Sequence, residues 1–192
     1  QSSDLPHMLP SAEFFTTEAQ KLGINKDSLI VFYDRVGVYS SPRGWWMFRA
    51  MGHTQVAVLN GGFPAWQAAG NPCAASDPAP RPIGDFVANY RPEFVRNSHQ
   101  VLRALSSPEV DVLDARSGGR FYGTEPEPRA GLRPGHMPQS INLPFNRLVD
   151  QGQMVSKAAL EKINHPGPEQ ISETVPVWQG NEEMILKLCG LK

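Results

Sequence analysis

Arg120 and Arg129 stand on one long polar stretch of the chain. Guanidinium groups are well shaped to hold an anion, because each offers paired N–H donors that match two carboxylate oxygens. Glu125 and Glu127 lie between the two arginines. The same residues therefore have a second reading, in which each arginine pairs with a glutamate and braces the chain. Taken alone, the residue types favour bracing. Two cysteines, Cys73 and Cys189, could supply a thiolate, and a reactive thiolate needs loop N–H groups or a helix N-terminus around it. Residues 181–188 read as a helix that starts at Asn181 and ends just before Cys189. A cysteine at a helix C-terminus meets a field that disfavours the thiolate. Cys73 falls among prolines and reads as incidental. His7, in LPHMLP, and His136, in GHMP, each read first as local hydrogen-bonding residues.

The arginine-bearing stretch spans residues 110–145 and must be positioned by what flanks it. It opens with an apolar run at 110–113, loses apolar periodicity, and returns to a strand signal at 140–143. The sequence between reads as a long loop. Such loops are uncommon in compact domains unless they are functional or disordered. Prolines at 126, 128, 134, 138 and 144 restrict the backbone and argue for order. An ordered polar loop between two strands is a ligand-holding surface.

The remaining elements alternate. Residues 11–22 read as a helix capped by Ser11, with Glu13 in its first turn. A strand at 28–33, a turn-rich loop at 34–42, a helix at 43–51, a strand at 55–59 and a helix at 64–69 follow. Strands joined through a helix return in the same direction, so the pairing should be parallel. The prolines at 72, 78, 80, 82 and 92 suggest a linker over 71–95. A helix at 96–105, a strand at 110–113, the long loop and a helix at 156–163 then outline a second α/β unit.

Bulk composition limits the partners. The chain has 192 residues, with 18 basic and 19 acidic side chains and a net charge of -1. That balance supplies no polybasic field for nucleic acid or an anionic membrane surface. No apolar run approaches the roughly 18 residues of a membrane span. Two cysteines are too few for a disulfide scaffold and agree with a reducing compartment. The first residue is Gln, and no leader-like segment follows it. The pattern implies no metal and no cofactor.

Two segments carry a resemblance. YSSPRGWWMFRAMGH followed by VLNGGFPAW resembles the first module of the two-domain rhodanese-like sulfurtransferases, in the branch that uses 3-mercaptopyruvate or thiosulfate. DARSGGRFYGTEPEPRAGLRPGHMPQSINLPF resembles the second module, and the likeness covers residues 5–163. It implies an α/β fold of two tandem rhodanese-like modules, with parallel sheets flanked by helices and both modules incomplete. The expected division is a first, non-catalytic module at 1–70 lacking its N-terminal part, a linker at 71–95, a second module at 96–163 lacking its C-terminal part, and a divergent tail at 164–192.

The implied chemistry is transfer of a sulfane sulfur from 3-mercaptopyruvate or thiosulfate, through a cysteine persulfide, to a thiol or cyanide acceptor. The implied partners are a small-molecule donor and a thiol acceptor, either a thioredoxin-like protein or a small thiol, with no nucleic acid and no membrane. The setting would be cytoplasmic or mitochondrial. Arg120 and Arg129 match the family's two donor-binding arginines. His7 matches a histidine that helps move protons, and Cys189 is the candidate, displaced equivalent of the nucleophile. The family's Cys-Gly-Ser-Gly-Val-Thr loop does not occur, and Cys189 with Gly190 is its only trace. The chain thus reads as truncated at both ends, and the alternative to an active sulfurtransferase is a catalytically inactive rhodanese-like binding module.

Overall fold

The first helix begins where a side chain can satisfy its free amides. The Ser11 hydroxyl accepts from the Phe14 amide at 3.2 Å, and α1 runs over Ala12–Lys21. Phe15 and Ala19, one turn apart, are its buried face. In the computed structural model, residues 8–75, 79–129 and 131–164 are described. His7, Cys189 and the helix expected at 181–188 lie outside them. The chain divides into two compact units, residues 1–95 and 96–192.

In the first unit β1 (Ile30–Phe32) pairs in parallel with β2 (Val56–Val58), Val31 opposite Ala57. The expected parallel crossover runs through α2 (Ser41–Ala50), and α3 (Gly62–Ala68) follows β2. Apolar side chains from α1, α2 and β2 meet in one core of Phe15, Ala19, Trp45, Phe48, Met51 and Val56. Gly62 adopts φ +57 with its Cα turned toward the carbonyls of Asp34 and Gly37, a place where a Cβ would collide with backbone.

Phe86 completes that core, at 3% exposure, and this corrects the expected linker over 71–95. Its ring lies 5.7 Å from Phe48 and 5.5 Å from the buried His53. The backbone around it is tied down as well. Gly84 and Phe86 donate to Gln20 and Ile24 carbonyls, and Asn89 and Arg91 donate to Met51 and Ala50. Residues 79–95 are therefore a strap that closes the first unit. A proline-rich segment can do this because it has little backbone entropy left to lose on ordering.

The second unit starts with α4 (Ser98–Leu105), held by a reciprocal capping box between Asn97 and Gln100. β3 (Leu113–Asp114) pairs in parallel with β4 (Ile141–Asn142). The stretch between them, read as loop throughout, contains a short helix, α5 (Gly118–Tyr122). After β4 comes an antiparallel hairpin, β5 (Val149–Asp150) and β6 (Gln153–Met154), turned by Gln151 and Gly152, both at positive φ. The last described element is α6 (Lys157–Asn164), which buries Leu160. Among the described residues no helix is long and apolar enough to cross a membrane.

Phe86→Ala should destabilise the first unit by about 3–5 kcal/mol, the cost of deleting a buried ring. Denaturant unfolding followed by the fluorescence of Trp45, which is buried in the same core, measures this. A Cys73→Ser control, at an exposed position, should stay within about 0.5 kcal/mol of wild type. Equal midpoints for the two variants would return residues 79–95 to the status of a passive linker.

Candidate functional site

α5 is built to present Arg120. The Ser117 hydroxyl caps its start by accepting from the Arg120 amide at 3.3 Å, and Gly123 ends it in the left-handed conformation, φ 73. Thr124 and Glu125 fold straight back, their amides donating to the Gly119 carbonyl at 2.8 and 3.1 Å. The Glu125 carboxylate then lies where a Cβ on Gly119 would be, and it accepts from the Ser117 hydroxyl at 2.9 Å. A Cβ at 119 would push the exposed Glu125 carboxylate out of this position and off the Ser117 hydroxyl. Further along the loop, His136 stacks on Phe121 with ring centroids 3.8 Å apart and donates through Nδ1 to the Phe121 carbonyl at 2.8 Å. A carbonyl only accepts, so Nδ1 carries the proton.

At the centre sits Glu127, its side chain 4% exposed between two guanidinium groups. Arg116 Nη1 donates to it at 2.8 Å and Arg120 Nη2 at 2.6 Å, with Arg120 Nε at 3.2 Å. Arg116 is used on both edges. Its Nε and Nη2 hold Asp114 at 2.9 and 2.5 Å, and its outer pair goes to Glu127 and to the Gly135 carbonyl, 2.9 Å away. Arg120 is used on one edge only. Glu127 takes the Nε–Nη2 side, and among the described residues both Nη1 hydrogens and one Nη2 hydrogen have no partner. Those donors form the parallel end-on fork that suits a planar carboxylate.

The charges hold one another ionised. The hydrogen bond from Arg116 is the main cause that keeps the Asp114 carboxyl below the usual range, against the opposing effect of burial. The bond from Arg120 does the same for Glu127, with both arginines adding Coulomb attraction. Asp114 in turn pushes the Arg116 guanidinium further up.

The sequence-predicted residues fall out unevenly. Arg120 pairs with Glu127 as the bracing alternative supposed, yet keeps a free edge. Arg129 is exposed and pairs with no described residue. The structure therefore does not bring the two arginines into one ion pair. Cys73 is exposed, with its sulfur 3.8 Å from the Asn71 carbonyl. Arg116 and Glu127 are the hub of the cluster. The only sequence signal for them was the density of charge around DAR and EPEPR.

A different anion cradle lies in the first unit. The amides of Tyr39, Ser40 and Ser41 at the start of α2 converge on the Asp34 carboxylate at 2.8 to 3.1 Å, and the Ser40 hydroxyl joins them. Burial by itself would raise this carboxyl. The bonds from Ser40, Ser41 and Tyr39 outweigh it and hold the group far below the ordinary range. That cradle is filled by the chain's own side chain.

Comparison with known proteins gives consistent likenesses. The profile of the rhodanese-like domain family matches residues 4–69. The chain is 41% identical to 3-mercaptopyruvate sulfurtransferase of Rattus norvegicus over 165 residues, covering 84% of this chain and 55% of the relative. It is 38% identical over 171 residues to thiosulfate/3-mercaptopyruvate sulfurtransferase 1, mitochondrial, of Arabidopsis thaliana, covering 78% of this chain and 45% of that protein. The crystal structure of Tum1 protein from Saccharomyces cerevisiae superposes with a TM-score of 0.78 at 30% identity, covering 98% of this chain and 70% of that one. The chain spans about half the length of the curated relatives it matches.

Lowered carboxyl pKa values give a signed prediction. The stability contributed by Asp114 and Glu127 is full above the unfolded carboxylate range, roughly pH 4 to 5, and is lost as pH falls through the lower folded values. The protection of the α5 amides, measured against the intrinsic exchange rate at each pH, should therefore fall on acidification below about pH 4. Asp114→Asn should exchange faster at neutral pH and show a shallower acid dependence. An acid limb identical in the variant would mean that the Asp114 pair is energetically idle.

Proposed function

The chain belongs to the rhodanese-like sulfurtransferases, and on that premise we propose that it binds 3-mercaptopyruvate or thiosulfate and passes the donor's sulfane sulfur, through a cysteine persulfide, to a thiol or cyanide acceptor. The observation that carries this reading is the free end-on fork of Arg120, held in place by an ion pair on its other edge. Arg129, on the same loop and unpaired among the described residues, is the second donor-binding arginine. An α-keto carboxylate seated on these groups would be fixed at the end remote from its sulfur.

The transfer itself needs a thiolate. It attacks the donor sulfur and forms an S–S bond; for 3-mercaptopyruvate the C–S bond breaks, its electron pair passes into the enolate of pyruvate, and a proton completes pyruvate, whereas for thiosulfate the S–S bond breaks and sulfite leaves with its electron pair. The acceptor thiol or cyanide then takes the outer sulfur and releases the thiolate. Cys189 is assigned as that nucleophile and His7 as a proton-moving group; both lie outside the described residues. The first unit serves as the non-catalytic partner module, the amide cradle at the start of α2 being occupied by Asp34. The mitochondrial designation of the plant relative supports a mitochondrial setting, with the cytoplasm as the alternative.

Sulfide release from 3-mercaptopyruvate with an added thiol tests the assignment. Arg120→Lys and Arg129→Lys should each raise the KM by about tenfold or more with circular dichroism unchanged, because an ammonium cannot form the paired bonds. Cys189→Ser should abolish release. Unchanged KM in both lysine variants would remove the arginine loop from donor binding. A folded wild-type chain that binds the donor yet releases no sulfide would favour the binding-module alternative.

A further inference from the structure

We propose that His136 is a positioning residue for donor binding: it latches the two arms of the arginine loop together and so fixes the backbone from which Arg120 reaches the ligand. This deepens the reading of Arg120 as a donor-binding residue and rests on it.

α5 cannot hold its own shape. A helix of five residues is barely past nucleation, where few hydrogen bonds offset the entropy of ordering it, and two of the five are glycines. Its geometry is therefore imposed at its two ends. The Ser117 hydroxyl fixes the start. The finish is fixed by what the last carbonyls accept, because these have no partner within the helix. Gly119 takes the amides of Thr124 and Glu125, Arg120 takes that of Gly135 at 3.3 Å, and Phe121 takes His136 Nδ1 at 2.8 Å. The last two donors belong to the far arm of the loop, His136 standing 15 residues beyond Phe121.

His136 is the stronger of these two contacts. To the short hydrogen bond it adds a ring stack on Phe121, 3.8 Å between centroids and 10° from parallel, which covers a buried side chain. Gly135 offers α5 only the longer bond. Facing a carbonyl, Nδ1 carries its proton whether or not Nε2 is charged, so the latch holds in both charge states of the ring. Glu127 fixes Arg120 from its Nε outward, and His136 fixes the peptide beneath it. Arg129 is held by the same closure. A Cβ placed on Gly123 would stand 3.3 Å from the Gly135 nitrogen, so the ends of residues 124–134 touch. Arg129, which pairs with no described residue, is tethered on that closed segment and cannot stray far from Arg120.

Pyruvate, an unreactive counterpart of the α-keto carboxylate donor, is titrated into the full chain, and solvent exchange of the Arg120 and Arg116 Nε–H protons is followed by NMR. His136→Ala should raise the pyruvate Kd by about three- to tenfold, the range that ordering one more side chain on binding accounts for. The Arg120 Nε–H, which donates to Glu127, should exchange faster, while the Arg116 Nε–H, which donates to Asp114, should keep its wild-type rate. In an Arg120→Lys background the same substitution should change Kd by no more than about twofold, because two residues that act through one contact are not additive. Unaltered affinity in His136→Ala, equal acceleration of both Nε–H protons, or the full loss of affinity repeated in the Arg120→Lys background would each overturn the proposal. Should His136→Ala fail to fold, His136→Phe keeps the ring cover and drops the donor, and wild-type affinity in that variant would overturn it instead. Arg120→Lys alone binding pyruvate as tightly as wild type would sink the donor-binding reading of Arg120 and the proposal with it. Weakened binding in Arg120→Lys beside unaltered binding in His136→Ala would sink the role of His136 alone.

Discussion

A carboxylate buried to the degree of Glu127 is tolerable only while cations stay beside it, and that requirement organises the second unit. Removing Arg116 would leave Asp114 without its cation, which costs far more than a surface ion pair returns, and removing Arg120 would leave Glu127 with one cation in place of two. The chain must therefore bring residue 127 back to the end of β3, where Arg116 leaves the strand. It does so by ending α5 at Gly123 and folding the next amides onto Gly119. The prolines on either side of Glu127 limit the ways in which the returning segment can bend. Arg116 then fastens the far side of the loop through the Gly135 carbonyl, and His136 adds a stack and a hydrogen bond at Phe121.

The two units solve the same electrostatic problem in different ways, and the difference separates their capabilities. In the first, a carboxylate is satisfied by backbone amides and a hydroxyl at the start of α2, and all of these donors point inward at Asp34. A helix N-terminus is a general anion site, but here the anion is built into the chain. In the second, the carboxylates are satisfied by guanidinium groups, and a guanidinium has more donors than one carboxylate can use. Arg120 is left with an outward fork. Of these two clusters, only the one in the second unit keeps donors free among the described residues.

How far the sequence disclosed this depended on how local each cause was. Ser11 and the apolar spacing behind it act within a few residues, so α1 could be read directly, as could the crossover that makes β1 and β2 parallel. α5 was hidden because two of its five residues are glycines and it is too short for periodicity to register. Its real signals were the bracketing Ser117 and Gly123. The hairpin at 149–154 announced itself only through Gln151 and Gly152 between short apolar runs. Phe86 could not be placed, since nothing in the sequence sets it apart from Ile83, Val87 and Tyr90, which are exposed, and its burial is decided by α1 and α2. At the site, charge density located the arginine loop. Spacing could not choose between Glu125 and Glu127, because the fold-back at Gly123 decides that Glu125 meets Ser117 and Glu127 meets the arginines.

On the proposed reading, in which Arg120 receives an anion, its placement on so short a helix has an entropic advantage. A flexible cationic side chain on an open loop loses rotamer freedom when it binds, a cost of up to about 2 kcal/mol for arginine. Arg120 has met much of that cost on folding, because Glu127 already fixes its stem and one edge. Arg129 has no such brace among the described residues and, on that reading, would order on binding. The pair would then combine one pre-set contact with one adaptable contact, the first defining the plane in which an anion could sit and the second closing on ligands of different length.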